Sequence, residues 1–336
     1  MVALLAVVAP LAVVGGCGAA TPPVATPLPA APEPAVSPPA VASLPGTVLT
    51  VGGTPEGVAV DASGEVALNV HRPDGVVLFS IAAPQSRRLI ALGGTARHLM
   101  LAGADGPLLV PDESDDRLVE LSLPGGQVEA SVPVGRQPHD AVALASGTVL
   151  VADELANTVD FVQGGRVTHV VAAPLQPGGV AANPDGSLAV VVGVRARRLT
   201  EYRVDGRVVG SANCGAGPTH VVSGDDGLYW VADTNGGAIL GFTLGAHGPT
   251  QVAAIPVGSR PYGLAFDASR DTLWVTLTGS NQLVGLHLKG RAVQSRTTYP
   301  TVRQPNTVAV DEATGELVVT GSAAPGQLQL LNAPTG

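Results

Sequence analysis

The chain has 336 residues, of which 45% are apolar but only 3% aromatic, so any core must be built from Val, Leu and Ala rather than from rings. Its 43 glycines and 29 prolines exclude an architecture of long helices and favour one of many turns. A net charge of −9 and a pI near 5.2 exclude the basic footprint that nucleic-acid binding requires, and suit a soluble protein expected to be monomeric.

At the N-terminus, Val2–Val14 is an apolar run broken only by Pro10. It is shorter than the roughly 20 residues needed to span a bilayer, but has the length of the apolar core of a signal peptide. It ends in Val14-Gly15-Gly16-Cys17, an aliphatic residue and two small ones before a cysteine. This quartet resembles the lipobox of bacterial lipoproteins. The resemblance implies removal of residues 1–16 as a signal peptide and lipidation of Cys17 by palmitate-type chains. It also implies anchoring in the cell membrane on the extracytoplasmic face.

Residues 17–46 then read as the lipidated cysteine and a Pro-rich tether, with nine prolines between Gly18 and Pro45. Proline fixes φ and removes an amide donor, so this stretch is barred from a sheet. In polyproline form it would reach roughly 85 Å. The folded domain is expected over residues 47–336.

Within that domain one pattern recurs. A proline stands just before a small, apolar strand at Pro55, Pro138, Pro177, Pro218, Pro261 and Pro305, and Ala96 fills the same place without proline. Neighbouring anchors are 39 to 44 residues apart. Behind each anchor come a turn and a second strand, as in TVLVAD and LYWVAD, then polar residues and a third strand. A fourth strand, such as VEASVPVG, leads to the next anchor. Four antiparallel strands in a repeat of this length predict the blade of a β-propeller.

The last unit has only three strands, whereas TVLTV precedes the first anchor with nothing to complete. The expected fold is therefore all-β, a seven-bladed β-propeller whose last four-stranded blade is closed by the N-terminal strand at residues 47–53. Such closure leaves no raw edge.

The string Val-Gly-x-x-Pro, a D-x-x-G turn, V-A-D/N and then N-x-V is clearest in VGRQPHDAV…TVLVADELANTVDFV and in VGSRPYGLAFDASRDTLWV. It resembles the YVTN-type propeller family over Thr47–Asn332, and weakens in the unit from Pro177, where the Asn turn is missing. The resemblance implies a fold and a frequent cell-surface or periplasmic address, without one activity.

Strands alternate in direction within a blade, so the fourth-to-first and second-to-third connections emerge on one face. The residues just behind the anchors supply a candidate ligand-binding rim of Glu56, Arg97, His98, His139, Asp140, His220, Tyr262 and Asn306. Asp112, Glu113, Asp115, Asp153 and Asp233 join this face from the second connection. Arg136, Arg260 and Arg303 precede anchors and offer contacts to anions. Imidazole beside carboxylate suits a divalent metal or acid–base work near neutral pH, against the plainer reading of solvated turn residues. With Cys17 acylated, Cys214 has no partner for a disulfide and reads as a small buried hydrophobe.

The leading functional expectation is a non-enzymatic binding or scaffold module of the cell envelope. It would present one loop-rich face to an envelope protein, a glycan or a small ligand, and needs no cofactor. The alternative rests on Gly217–Phe242, GPTHVVSGDDGLYWVADTNGGAILGF, which is similar to repeats of the streptogramin lyase group. That resemblance implies a propeller enzyme performing elimination with a divalent metal and a rim histidine.

Overall fold

The structure, a computed structural model, describes residues 30–41 and 43–333. The expected signal peptide and Cys17 lie outside them. The first strand is β1 (Thr47–Thr50). Blade 1 is β2 (Thr54–Val60), β3 (Glu65–His71), β4 (Gly75–Ser80) and β5 (Arg88–Ala91). Blade 2 is β6 (Met100–Leu101), β7 (Leu108–Asp112), β8 (Arg117–Leu121) and β9 (Val128–Pro133). Blade 3 is β10 (Pro138–Ala143), β11 (Thr148–Asp153), β12 (Thr158–Gln163) and β13 (Arg166–Ala172). Blade 4 is β14 (Pro177–Ala182), β15 (Leu188–Gly193), β16 (Arg198–Arg203) and β17 (Val208–Asn213).

Blade 5 is β18 (Pro218–Ser223), β19 (Leu228–Asp233), β20 (Ala238–Thr243) and β21 (Thr250–Pro256). Blade 6 is β22 (Pro261–Asp267), β23 (Thr272–Leu277), β24 (Gln282–Lys289) and β25 (Ala292–Pro300). Blade 7 joins β26 (Pro305–Asp311), β27 (Glu316–Gly321) and β28 (Gln327–Asn332) to β1, in the order β1-β28-β27-β26. The result is seven antiparallel sheets of four strands, as the repeat predicts.

Closure works as expected. Thr47 lies opposite Leu330 and Thr50 opposite Gln327, so β1 is the outermost strand of blade 7. Leu49 turns into a core shared with blade 1, against Val66, Leu68, Val318, Leu328 and Leu330. On the inside, the Ser322 hydroxyl donates to the Pro55 carbonyl at 2.6 Å, joining blade 7 to blade 1.

The middle strands of each blade are buried on both faces between neighbouring sheets. The outer ones, such as β13 and β25, are mostly exposed. Trp230 and Trp274, the two tryptophans, fill inter-blade layers otherwise made of Val and Leu. The inner strands converge so closely that a side chain is excluded at some positions. A Cβ on Gly263 would sit 2.5 Å from the Asn306 carbonyl oxygen, and one on Gly57 2.4 Å from that of Arg97.

The unit that lacks the anchor proline is also the least regular. In blade 2 the inner strand shrinks to Met100–Leu101 with a single bridge from Ala96 to Asp112. The Ala96 carbonyl is held instead by the side chain of Asn69.

Candidate functional site

A latch repeated between blades sets the rim. Gln137, Gln176 and Gln304, each just before an anchor proline, have left-handed φ values of 55°, 59° and 61°. Their amides donate to the side-chain oxygens of Asp116, Asn157 and Asn281 in the preceding blade, at 2.7, 2.8 and 3.1 Å. These acceptors are left-handed too, with φ of 53°, 57° and 50°, a conformation that Asn and Asp tolerate better than most residues. The Asn of the N-x-V motif is thus a joint between blades, and it delivers the residues behind each anchor to the axis.

Three histidines meet at the channel mouth. The His98 ring centroid lies 4.8 Å from that of His139 and 4.7 Å from that of His220. His220 Nδ1 is 2.9 Å from the Tyr262 carbonyl oxygen, to which it donates. Its Nε2 therefore carries the lone pair, and faces His98 Nε2 at 3.1 Å. His139 Nδ1 lies 3.0 Å from Glu113 Oε1 and 3.1 Å from Glu154 Oε2, which leaves Nε2 as its remaining ring nitrogen.

Electrostatics divide these rings into two kinds. Burial works against a charge on His139, but its hydrogen bonds to Glu113 and Glu154 outweigh that and raise it to about 10. Burial, and the charge on His139, lower His220 to about 3. Burial and the same neighbouring imidazoles hold His98 well below its ordinary value. Burial is the largest influence on Glu154 and raises it, yet the bond and charge of His139, the bond from Gln176 and the charge of Arg97 together outweigh it and bring the carboxyl below its usual range. The mouth thus holds one imidazolium between two carboxylates beside two neutral imidazoles.

Such a set can take a divalent ion. One ligand atom from each of His98, His139 and His220 lies within 4.8 Å of the others, and the same holds for Glu113, His139 and Glu154. A tetrahedral ion with bonds of ~2.05 Å needs its donors ~3.3 Å apart, so the histidine trio would have to draw in slightly. In that trio Glu113 and Glu154 would orient His139 from behind, the usual support for a metal-bound imidazole.

The other rim residues divide by role. Arg97 pairs with Glu113 at 3.4 Å, and Asn306 donates to Glu56 at 3.1 Å. Burial raises the Glu56 carboxyl despite that bond, and burial raises the Tyr262 phenol. Asp140 lies deeper, on the channel wall, accepting from the Ala141 and Val180 amides at 2.9 and 3.1 Å and so joining blades 3 and 4. Burial lifts its carboxyl to about 7. His98, Asp140 and His220 also line a channel cavity of about 250 Å³ with otherwise mostly apolar walls.

Several further candidates are structural. Asp233 braces its own turn through the Ala216, Gly217 and Gly236 amides. Arg136 donates to Leu155, Arg260 to Asn235 and Arg303 to Ser37. Cys214 is fully buried and burial pushes its thiol up. Glu154, which the sequence reading passed over, follows TVLVAD directly. Its signal was an extra carboxylate one step beyond the repeated V-A-D.

Within the described residues the Pro-rich stretch forms no strand, and part of it packs against the disc. The Ala35 amide donates to Thr278 Oγ1 at 2.9 Å, and the Ser37 hydroxyl to the Thr278 carbonyl at 2.6 Å. Gln304 brackets it, accepting from the Ser37 amide at 3.1 Å and donating to the Ala35 carbonyl at 2.8 Å. Asn281 donates to the Pro38 carbonyl at 2.8 Å. Pro32 and Glu33 lie over His139, Glu154, His220 and Tyr262, and Ser37 is 2% exposed.

No protein-family model matches the sequence, and no curated protein matches it. Solved structures do. A streptogramin B lyase is similar at 14% identity and a TM-score of 0.72, over 86% of this chain and 97% of its own. A catalytically inactive histidine-to-alanine variant of virginiamycin B lyase from Staphylococcus aureus, solved with quinupristin, gives 15% identity and a TM-score of 0.72, over 87% and 99%. A chain of the mitotic checkpoint complex gives 12% and 0.73, over 95% and 100%.

Likeness at these identities establishes architecture. The chain is a seven-bladed all-β propeller carrying a histidine–glutamate cluster at its channel mouth. In fold it is virginiamycin B lyase-like.

Proposed function

We propose that this YVTN-type propeller is a ligand-binding module of the cell envelope whose channel mouth holds a divalent metal ion through His98, His139 and His220. The observation that carries this is the 3.1 Å approach of the His98 and His220 Nε2 atoms, with His139 beside them. Two imidazoles kept neutral by burial are ready ligands, and loading a metal would release the proton held on His139. Arg97, on the rim beside Glu113, adds a cation for an anionic group of the ligand. The seven-bladed frame presents all this without reordering, which lowers the cost of binding.

Titration with Ni²⁺ or Zn²⁺, followed by calorimetry and thermal melting, tests it. One equivalent should bind and raise Tm, and His98/His139/His220→Ala should abolish both effects. Unchanged uptake by that variant, or none by the wild type, would reject the metal.

A second reading, a metal-dependent lyase, is favoured by the shared architecture with virginiamycin B lyase, whose inactive variant lacks one histidine. Here Glu154, a carboxylate beside His139, would be the proton-transfer group. Elimination by the metal-loaded protein that is lost in Glu154→Gln while metal uptake is kept would favour this reading over the binding module.

The envelope address rests on Val14-Gly15-Gly16-Cys17 and the prolines behind it.

A further inference from the structure

We propose that residues 31–38 are a built-in occupant of the rim: the mouth is a receptor for an extended, proline-rich acidic peptide, and the chain fills it in cis. This rests on the reading of the mouth as a ligand site. The seating has the marks of peptide recognition rather than of chance contact. Main-chain groups of Ala35, Ser37 and Pro38 meet side chains from blades 6 and 7, namely Thr278, Asn281, Arg303 and Gln304. Three of the strap's carbonyls and two of its amides are satisfied this way, by a stretch too rich in proline to pair as a strand.

The same glutamine and asparagine that receive the strap also form the latch between blades 6 and 7, so the receptor is part of the frame. Beyond the hydrogen-bonded part, Pro32 is buried and Glu33 stands beside Arg97 and Tyr262 over the histidines. The strap divides the mouth into a cleft of about 30 Å³ on the His139–Glu154 side and one of about 370 Å³ on the Glu56–Asn306 side. A ligand large enough to need both must lift it.

Occupancy in cis is cheap. A segment joined to the domain by the few residues before β1 competes at an effective concentration of the order of 1 mM, so even a weak fit keeps the mouth filled. Acidic, extended peptides of the Ala-Pro-Glu-Pro type are the class that the same contacts would accept in trans.

The test leaves the rim untouched and alters only the strap, in the full chain. Ala35→Pro with Ser37→Pro removes both amide donors and the hydroxyl, in a segment already extended. The probes are Ni²⁺ and an end-blocked peptide of residues 30–39, AAPEPAVSPP. The double variant should bind the peptide, whereas the wild type should not at concentrations up to about 1 mM. Ni²⁺ uptake should be roughly tenfold faster or more in the variant, since each lost hydrogen bond is worth a factor of several. Equal Ni²⁺ rates together with no peptide binding to either protein would overturn the cis occupant and leave the metal reading standing. If Ni²⁺ binds neither protein the metal reading falls, and the peptide arm alone decides the strap.

Discussion

His139 concentrates the chemistry of the molecule in one ring. It meets Glu113 and Glu154 on one side and the His98 ring on the other, with a ring nitrogen of His220 within 4.8 Å. In the metal-free protein its folded value of about 10 exceeds the ordinary 6.5, so the folded chain holds a proton there that the unfolded chain gives up. The stabilisation is complete below about pH 6.5 and is lost as pH rises towards 10. Asp140 acts in the same direction over a lower window. Raised by burial from 3.8 to about 7, it makes the fold less stable as pH climbs between those values. Below about pH 6.5 the depressed His98 and His220 oppose Asp140, so the clear loss of stability, read as a falling Tm of the metal-free protein, is expected between about pH 7 and pH 10, at most about 1.4 kcal/mol per pH unit from His139. His139→Gln should flatten that fall. A Tm that rises over this range would show that the imidazolium is not held between the two glutamates.

Among the strands, β1 bears the greatest consequence for its length. It has four residues, yet it completes blade 7 and places Leu49 in the core between blades 7 and 1. Leu49→Asp would bury a carboxylate among Val66, Leu328 and Leu330, against several kcal/mol of desolvation. Hydrogen exchange should then quicken throughout β28, from Gln327 to Asn332, while β15 and β16 on the far side of the ring keep their protection. Equal protection of β28 in the variant would mean that the ring does not depend on this closure.

At the level of the whole molecule, one face carries the histidine cluster, and the N-terminal segment crosses that face before entering β1. The lipoprotein reading makes a separate prediction. The protein should take up labelled palmitate and partition with membranes, and Cys17→Ser should remove both without lowering the melting temperature of the propeller. No helix among the described residues is long and apolar enough to cross a membrane. Persistent membrane association of the Cys17→Ser protein would count against Cys17 as the anchor.

Architecture was readable along the chain because it is written locally and many times over. Anchor prolines, V-A-D strands and Asn turns recur at nearly even spacing, and the missing fourth strand at one end matches the spare strand at the other. That the positions behind the anchors gather at one end of the blades was readable for the same reason, since they repeat with the blade. What a periodic reading could not tell was which of those positions touch. His98 and His220 are separated by 122 residues and meet only because the ring curves back on itself. Asp140, in the same register as the rim residues, turns instead to the Val180 amide and becomes part of the wall. Glu154 and the strap at residues 31–38 carry no repeat at all. Their places were decided by three-dimensional closure: a carboxylate finds the nearest buried imidazole, and a chain that can form no strand satisfies its backbone on the side chains that the blades hold out to it.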